Sequence, residues 1–195
     1  MLTRHNVEQG TEEWFKLRSG LVTASNAAKF IEGGYKRATE QSTFKGNYYS
    51  KRGQDLEPEA IELYEKIKEV VVQRYGFITN SKYPLCGASP DGVTDRLIEV
   101  KCFNKNKHNS ITKTTIPFEV MAQIQFSMLI TELNKCDLVL YNPDLEPANA
   151  LKIITVNKDN KIHKRLQKLI KEGNCEKDSK QGGDVIQRRS YISKQ

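Results

Sequence analysis

The chain has 195 residues, of which 37% are hydrophobic and 28% charged, and its formal net charge is +7. This size suits one domain with a single core, and the composition excludes an intrinsically disordered chain. No stretch approaches the ~18 consecutive apolar residues of a membrane span, and the first ten residues, MLTRHNVEQG, lack the apolar core of a secretion signal. A cytoplasmic protein is therefore expected.

The positive charge is concentrated near the C-terminus. Residues 161–195 contain ten Lys or Arg and four Asp or Glu, whereas residues 1–160 are nearly neutral. A basic segment attracts phosphate backbones by releasing counterions, but a solvated tail that keeps a protein soluble has the same composition. Charge alone leaves both interpretations open. We predict a single domain over residues 1–172 and a basic, weakly ordered tail over residues 173–195.

The four cysteines are widely spaced, with no CxxC pair and no nearby pair of histidines. Zinc and iron–sulfur sites need clustered ligands, so neither is predicted. Reduced thiols are expected instead. Three of them are predicted to pack near strands as small apolar groups, namely Cys86, Cys102 and Cys136.

The first part of the chain predicts helices separated by a polar segment. Residues 11–20 form a short predicted helix with acidic residues in its first turn, and Ser25 is expected to cap a second short helix. Residues 32–52 are polar and contain three glycines, which favours a loop or lid. Residues 54–66 carry apolar side chains at 3.6-residue spacing and predict a longer helix.

The rest of the chain alternates between strand-like and helix-like patterns. Strands are predicted at residues 70–72, in a run ending at residue 88, and at residues 96–102, 137–141 and 151–156. Helices are predicted from Pro117 to about Leu133 and over residues 159–172. This order indicates an α/β domain with a mixed central sheet and helices packed against it.

The strongest chemical signal is an acid in a predicted turn followed by a strand with two charged side chains. Asp91 lies in the run SPDG, and Gly92 after it favours the turn. Eight residues beyond Asp91, the run LIEVK carries Glu99 and Lys101. Side chains alternate along a strand, so Glu99 and Lys101 point to one face, and a hairpin-like return brings Asp91 beside them.

Two carboxylates and an ammonium at one place suit hydrolysis of a phosphodiester. Carboxylate oxygens bind Mg²⁺, which lowers the pKa of a bound water and neutralises charge on phosphoryl oxygens. Lys101 can orient the attacking water, or accept its proton if the pKa of the amine is lowered. Glu57, in the predicted helix over residues 54–66, can add a further carboxylate. An isolated Glu-x-Lys pair is, however, usually a solvated surface pair.

The sequence resembles the phage lambda exonuclease and YqaJ-type viral recombinase family, which carries the PD-(D/E)xK nuclease signature. Four blocks carry the resemblance in the same order: VEQGTEEWFKLRSGLVTAS (7–25), GQDLEPEA (53–60), ASPDG with IEVK (88–101) and MAQIQFSM (121–128). They span about residues 7–145. The resemblance implies an α/β fold with a restriction-endonuclease-like core, a mixed central sheet and flanking helices. The segment between Phe30 and Gly53 does not align convincingly.

The resemblance also implies roles for single residues. Asp91 and Glu99 correspond to the metal-binding acids, the Val100 carbonyl to a backbone metal ligand, Glu57 to a glutamate near the metal, and Lys101 to the catalytic lysine. Residues near the DNA end, several of them around its 5′-phosphate, correspond to Arg18, Ser25, Ser89 and Gln123.

Ordinary structural interpretations of these residues stay open. Arg18 also suits a surface ion pair, Ser25 a helix cap, and Gln123 a polar position on an apolar helix, although its amide can also bind a phosphate or the attacking water. Trp14 and Phe15 are expected in the core rather than as base-stacking groups, because large aromatic side chains dominate protein cores.

The function implied by the resemblance is a metal-dependent exodeoxyribonuclease that degrades one strand of linear duplex DNA. It is expected to act 5′ to 3′ from a 5′-phosphorylated end in phage-type recombination, with one or two Mg²⁺ ions and Mn²⁺ as a substitute. Relatives form ring-shaped trimers and work with a single-strand annealing protein, so a phage- or virus-encoded homo-oligomer without a membrane partner is expected. The alternatives are an endonuclease or nicking enzyme of the same fold and a non-catalytic module that binds DNA ends.

Overall fold

The computed structural model of the protein describes residues 1–40 and 48–173. Its strands form two four-stranded sheets. The first sheet contains β1 (Leu2–His5), β2 (Val22–Thr23), β3 (Phe77–Asn80) and β4 (Cys86–Ala88). The second contains β5 (Gly92–Val93), β6 (Leu97–Lys101), β7 (Lys135–Tyr141) and β8 (Leu151–Asn157).

Helices lie before, between and after the strands. They are α1 (Glu12–Arg18), α2 (Ala27–Thr39), α3 (Tyr48–Lys68), α4 (Lys105–Ser110), α5 (Phe118–Thr131), α6 (Pro147–Ala150) and α7 (residues 160–173). A single 3-10 turn, Ala24–Asn26, joins β2 to α2. Within the described residues, none of these helices has both the length and the apolar character needed to span a bilayer.

Both sheets mix parallel and antiparallel pairing. The strand order is β1-β3-β4-β2 in the first sheet, where β2 runs parallel to β4. It is β5-β6-β7-β8 in the second, where β6 runs parallel to β7 and the crossover between them contains α4 and α5. The predicted α/β fold with mixed pairing and flanking helices is confirmed, but the division into two sheets was not predicted.

Strand β6 lies between two helical layers. On one side, α5 is buried along most of its length, as expected for a helix that is apolar around its whole circumference, and Phe126 meets Phe30 of α2 edge to face at 6.3 Å. On the other side, α3 packs Tyr64 against Ile98 and Val100. Alternate side chains of β6 therefore enter different layers, which leaves Glu99 and Lys101 on the α5 side.

A buried carboxylate anchors the second sheet to α3. Asp137 of β7 is fully buried, and its carboxylate accepts hydrogen bonds from Tyr64 Oη at 2.9 Å and Thr155 Oγ1 at 2.6 Å. The Arg96 guanidinium lies 3.6 Å from it. A buried charge is tolerated only when it is paired and hydrogen-bonded, and these partners satisfy that requirement.

Within residues 32–39 and 48–52, the structure shows helix where a loop or lid was predicted, apart from Gly33 and Gly34. Helix α2 continues through a kink at Gly33 and Gly34, and α3 begins before residue 52. Both glycines have non-helical backbone angles, with a φ of 70° at Gly34, so they divide α2 into two helical parts. Ala38 in the second part is buried in the main core. Residues 41–47 of this segment lie outside the described part of the chain.

Ser25 does not cap α2 as predicted. It lies inside the 3-10 turn, and α2 begins two residues later without a side-chain hydrogen bond at its N-terminal cap. The Ser25 hydroxyl instead lies 3.1 Å from the Thr23 hydroxyl. The short turn before the helix displaces the serine from the capping position and leaves its hydroxyl exposed to the neighbouring cleft.

The predicted strand over residues 70–72 is wrong. Glu69 ends α3 with a φ of 54°, and the Val72 N–H donates to the Glu65 carboxylate at 2.7 Å rather than to a strand. β-branched residues favour strands only where a partner strand is available. Here the N–H groups of Val70 and Val72 instead donate to Glu65 at the end of α3. Only Gln73, just beyond, pairs with a strand, through an isolated bridge to Val93.

The predicted C-terminal helix and the cysteine environments agree with the structure. Residues 160–173 are helical, close to the predicted 159–172. Cys86 and Cys136 are buried in strands β4 and β7, and Cys102 is half-buried just after β6. The predicted basic tail, apart from its first residue, lies outside the described residues, as does Cys175.

Candidate active site

The hairpin of β5 and β6 places Asp91 opposite the end of β6. The hairpin turn lies at residues 94–96, since Val93 pairs with Leu97, whereas the chain only bends at Asp91, where the turn was predicted. Gly92 begins β5 instead, because its backbone pairs with Ile98 and only a glycine fits so close to Val72. Asp91 therefore lies immediately before Gly92, the first paired residue of β5.

The Asp91 carboxylate accepts a backbone hydrogen bond from β6 at a position where β6 has no neighbouring strand on that side. Its Oδ2 accepts the Val100 N–H at 2.7 Å, on the side of β6 where β5 has already ended. The N–H and C=O groups of one residue in a strand face the same neighbour. The Val100 carbonyl consequently faces the Asp91 side as well, which puts a carboxylate and a backbone oxygen next to each other.

Glu99 and Lys101 share the other face of β6, as predicted from strand alternation. The Glu99 side chain is only 3% exposed, and its Oε1 accepts hydrogen bonds from Lys101 Nζ at 2.5 Å and from Gln123 Nε2 at 2.6 Å. Gln123 reaches it from α5. A buried carboxylate is thus held in one orientation by a cation from its own strand and an amide from the helix that covers it.

A cleft of about 760 Å³ brings the predicted site residues together. All nine of them line it: Arg18, Ser25, Glu57, Ser89, Asp91, Glu99, Val100, Lys101 and Gln123. Lys107 of α4 stands at the same cleft, 4.2 Å above the Phe103 ring. The cleft is therefore lined by both carboxylates and cations.

One end of the cleft is a group of hydroxyls around Arg18. The guanidinium lies 3.4 Å from both Thr23 Oγ1 and Ser25 Oγ and 3.5 Å from Ser89 Oγ, and it stacks 3.8 Å over the Trp14 ring. No acid pairs with Arg18 among the described contacts. Burial lowers the pKa of Arg18 to about 10, and the guanidinium still carries its charge at neutral pH. A forked cation surrounded by hydroxyl donors suits a phosphate.

Burial raises the pKa values of the acids in the cleft. It raises the pKa of Glu99 to about 7 and that of Glu57 to about 7, and the negative charge of Asp91 adds to both shifts. The pKa of Asp91 is raised by burial as well. For Lys101, burial lowers the pKa, but Glu99 and Asp91 more than offset it, so the pKa of the amine is raised.

The sequence matches the YqaJ-like viral recombinase domain over residues 13–134, more than half of the chain. The protein belongs to this family. The predicted resemblance is thereby confirmed, and the match includes both the SPDG run and the IEVK strand.

Solved structures of nucleases share the fold. An alkaline exonuclease from Laribacter hongkongensis (LHK-Exo) is 28% identical, with 93% of this chain and 99% of that chain covered and a TM-score of 0.75. Its complex with dAMP gives 27% identity over the same shares of both chains and a TM-score of 0.76. A phage-related exonuclease from Haemophilus somnus, 12% identical over 89% of this chain and 92% of that one with a TM-score of 0.54, shares the fold alone.

A viral protein of undescribed activity is a further relative. Uncharacterized protein R354 of Acanthamoeba polyphaga mimivirus is 26% identical over 157 aligned residues. The match covers 68% of this chain but only 29% of the length of the mimivirus protein. The YqaJ-like domain therefore corresponds to part of that longer relative.

The donor atoms of this YqaJ-like domain fit a hard divalent ion. Carboxylate and carbonyl oxygens are the ligands that Mg²⁺ and Mn²⁺ accept, and Asp91, Glu99 and the Val100 carbonyl supply them at one end of β6. Within residues 1–40 and 48–173, no group of three or more His, Cys, Asp or Glu side chains is placed to hold a metal ion, so an ion at this site would need ligands besides the acids. Mg²⁺ is usually bound by one or two carboxylates, with waters and substrate phosphates as its other ligands.

Several residues of the site were missed from the sequence. Trp14 was expected in the core, but it is half-buried in the wall of the cleft under Arg18, and Phe15 is 61% exposed. The spacing of Trp14 and Arg18, one helical turn apart, was a signal for their contact. Arg74 donates to Glu57 Oε1 at 2.8 Å, and nothing in the sequence around it indicated this ion pair.

Proposed function

We propose that this protein is a metal-dependent exodeoxyribonuclease that degrades one strand of linear double-stranded DNA, 5′ to 3′ from a 5′-phosphorylated end. Family membership and the likeness to the LHK-Exo structures make it a nuclease, with a role in DNA recombination. The observation that supports the finer assignment is a single cleft with two regions. Asp91, Glu99 and Lys101 occupy one region, and the hydroxyls around Arg18 occupy the other.

Asp91, Glu99 and the Val100 carbonyl would hold one or two Mg²⁺ ions, and Glu57 would complete the acidic shell. A bound ion would lower the pKa of a coordinated water and neutralise charge on the phosphoryl oxygens. The side chains of this chain orient the reactants around it. Glu99 is fixed by Gln123, and the Lys101 ammonium, 2.5 Å from Glu99, is placed to orient the water and to stabilise negative charge on the scissile phosphate.

The Arg18 region gives the enzyme its preference for a DNA end. A terminal 5′-phosphate carries more negative charge than an internal phosphodiester and offers more oxygen acceptors. Arg18 and the hydroxyls of Ser25 and Ser89 supply matching donors in the same cleft as Asp91 and Glu99. A 5′-phosphate bound there would place the next phosphate along the strand at Asp91 and Glu99, so that cleavage releases one nucleotide.

Further properties of the family extend this proposal. We expect a homo-oligomer, a trimer by family resemblance, that encloses the duplex, and a single-strand annealing protein as its partner. We expect action in the cytoplasm of a host cell, and the match to a viral recombinase domain supports this. The basic stretch over residues 161–195 would add contacts to the phosphate backbone.

Digestion of a linear duplex labelled at either end, with and without a 5′-phosphate, tests the proposal. We expect Mg²⁺-dependent release of mononucleotides from the 5′-phosphorylated strand, no digestion in excess EDTA, and no cutting of a covalently closed plasmid. Nicking of the plasmid would instead establish the endonuclease alternative. Binding of DNA ends without digestion in either Mg²⁺ or Mn²⁺ would establish the non-catalytic alternative.

A further inference from the structure

A second cleft of about 750 Å³ adjoins the first, and both are lined by Glu57 and Asp91. Arg74 is the one Lys or Arg among the described residues that line this second cleft. The two acids therefore have Lys101 on the side of the first cleft and Arg74 on the side of the second. The proposed function gives a role to Lys101 but none to Arg74.

The backbone on both sides of Arg74 is fixed to neighbouring elements. The N–H and C=O groups of Gln73 pair with Val93 of β5, both at 2.9 Å. Beyond Arg74, the Gly76 carbonyl accepts the indole N–H of Trp14 at 2.9 Å. Arg74 is therefore held between β5 and α1, and its side chain extends from there to the acids.

The Arg74 guanidinium is bound to Glu57. It donates to Glu57 Oε1 at 2.8 Å, in an ion pair whose side chains are 49% and 29% exposed. Its positive charge favours the charged forms of Glu57 and Asp91, against the burial that raises the pKa values of both acids. Arg74 thus neutralises part of the negative charge beside the reaction centre.

A second divalent ion at this site would depend on Glu57. Sites with two ions place them about 3.5–4 Å apart, so each ion needs acid ligands within that short distance. Asp91 and Glu99 are the acids proposed for the first ion, and Glu57 is the remaining acid among the described residues that line the first cleft. Glu57 is consequently the acid left for a second ion.

Arg74 already occupies the position that a second ion would need. An ion on Glu57 Oε1 would either displace the guanidinium from its hydrogen bond or lie directly beside a like charge. Mg²⁺ also gives up its waters reluctantly, and a carboxylate that is already paired offers it less negative charge. A second ion is therefore disfavoured while Arg74 holds Glu57.

We propose that Arg74 takes the place of a second divalent ion, so that the site binds a single ion at Asp91, Glu99 and the Val100 carbonyl. This inference rests on the proposed function, because that function assigns these three groups to an ion. It makes Arg74 a positioning residue. The guanidinium supplies the second positive charge beside the acids and holds the Glu57 carboxylate in place.

Calorimetric titration of the full chain with Mn²⁺ counts the ions bound per chain. The wild type should bind one ion, and Arg74→Gln should bind two, because Glu57 is then free to hold the second. Arg37→Gln is the matched control, since it removes a similarly exposed arginine from an ion pair with Glu32 outside both clefts. The control should bind one ion, as the wild type does.

Two further variants assign the second ion to Glu57. Glu57→Gln alone should keep the single ion, and Glu57→Gln combined with Arg74→Gln should return the count from two to one. Electron paramagnetic resonance of the bound Mn²⁺ gives an independent readout, because two ions about 4 Å apart couple magnetically. This coupling should appear in Arg74→Gln and be absent from the wild type.

Two bound ions in the wild type would overturn the inference, as would a single ion in Arg74→Gln or loss of the ion in Glu57→Gln. A second ion that persists in the double variant would overturn it as well, because that ion would not be bound by Glu57. Absence of bound Mn²⁺ from the wild type and from every variant would instead contradict the proposed function itself.

Discussion

Asp91 and Val100 are nine residues apart in sequence, and the Asp91 carboxylate accepts the Val100 N–H at 2.7 Å. This contact both completes the edge of β6 and fixes one acid of the proposed metal site. The structural role of Asp91 and its proposed role as a metal ligand can be tested separately, because asparagine keeps an oxygen acceptor for the Val100 N–H but loses the negative charge. The first prediction follows from this difference.

Asp91→Asn should retain the fold and lose the activity. We expect an unfolding temperature close to that of the wild type and a fall in the single-turnover rate of about 10³-fold or more, since the carboxylate would no longer bind the ion. Asp91→Ala should lose stability as well, because the Val100 N–H is left without a partner. Calorimetry and digestion of a linear duplex measure both effects. Near-wild-type cleavage by Asp91→Asn would contradict the assignment.

Gln123→Ala should weaken cleavage by roughly 10- to 100-fold, the usual cost of removing a group that orients a metal ligand. The variant frees Glu99 Oε1 from the amide that now holds it at 2.6 Å. We expect part of the loss to be recovered at higher Mg²⁺ concentration, which a titration of the initial rate with Mg²⁺ would show. An unchanged Mg²⁺ dependence would contradict a role of Gln123 in orienting Glu99 and would leave it only a contact with DNA.

Arg18→Lys should abolish most of the preference for a 5′-phosphorylated end. Lysine keeps the charge but loses the fork that reaches Thr23, Ser25 and Ser89 together. The readout is the ratio of cleavage rates on 5′-phosphorylated and 5′-hydroxyl duplexes. Lys16→Ala, on the exposed side of α1, is the matched control and should leave the ratio unchanged. An unaltered ratio in Arg18→Lys would show that the 5′-phosphate is bound by other residues.

Mg²⁺ should stabilise the protein more at alkaline than at acidic pH. Burial raises the pKa of Glu57 and of Glu99 to about 7, from an ordinary value of 4.5. Between these values the folded state binds more protons than the unfolded chain, so these groups lower the free energy of unfolding as pH rises. Mg²⁺ binds only the charged carboxylates, and its effect therefore grows as pH rises through 7.

Thermal unfolding with and without Mg²⁺ at about pH 6 and about pH 8 measures this linkage. We expect the larger increase in Tm at the higher pH, and Glu99→Gln should lose most of it. An increase that is equal at both pH values, or greater at the lower one, would exclude these carboxylates as the ion's ligands.

Asp137→Ala should destabilise the protein without touching the reaction centre directly. Its side chain is fully buried, and removing it leaves the Tyr64 hydroxyl and part of the Arg96 charge unpaired, at a cost of about 3 kcal/mol. Asp95→Ala removes an exposed partner of the same arginine and should cost less than about 1 kcal/mol. Urea unfolding would check the difference, and equal losses in both variants would contradict this interpretation.

The sequence was most informative where one local rule determined the outcome. Strand alternation predicted that Glu99 and Lys101 share a face, and they do. Pro117, a residue suited to the first turn of a helix, predicted a helix to about Leu133, and the structure has one over Phe118–Thr131. These features depend on local signals in the sequence. The fold class followed from the order of such elements, so it too was accessible from the sequence.

Features that depend on tertiary contacts were not accessible in the same way. Val72 has a strand-forming side chain, but its N–H is taken by Glu65 at a helix end. Phe15 has the side chain of a core residue, but it lies on a short helix whose outer face borders a cleft. The Glu57–Arg74 pair joins residues from a helix and a loop, and no sequence spacing predicts that contact.

Diffraction from crystals grown with Mn²⁺, recorded at a wavelength where manganese scatters anomalously, tests the central claim most directly. The account predicts an anomalous peak at coordinating distance from carboxylate oxygens of Asp91 and Glu99 and from the Val100 carbonyl oxygen, and loss of that peak in Glu99→Gln crystals. A peak bound by other residues, with these three oxygens left uncoordinated, would contradict it.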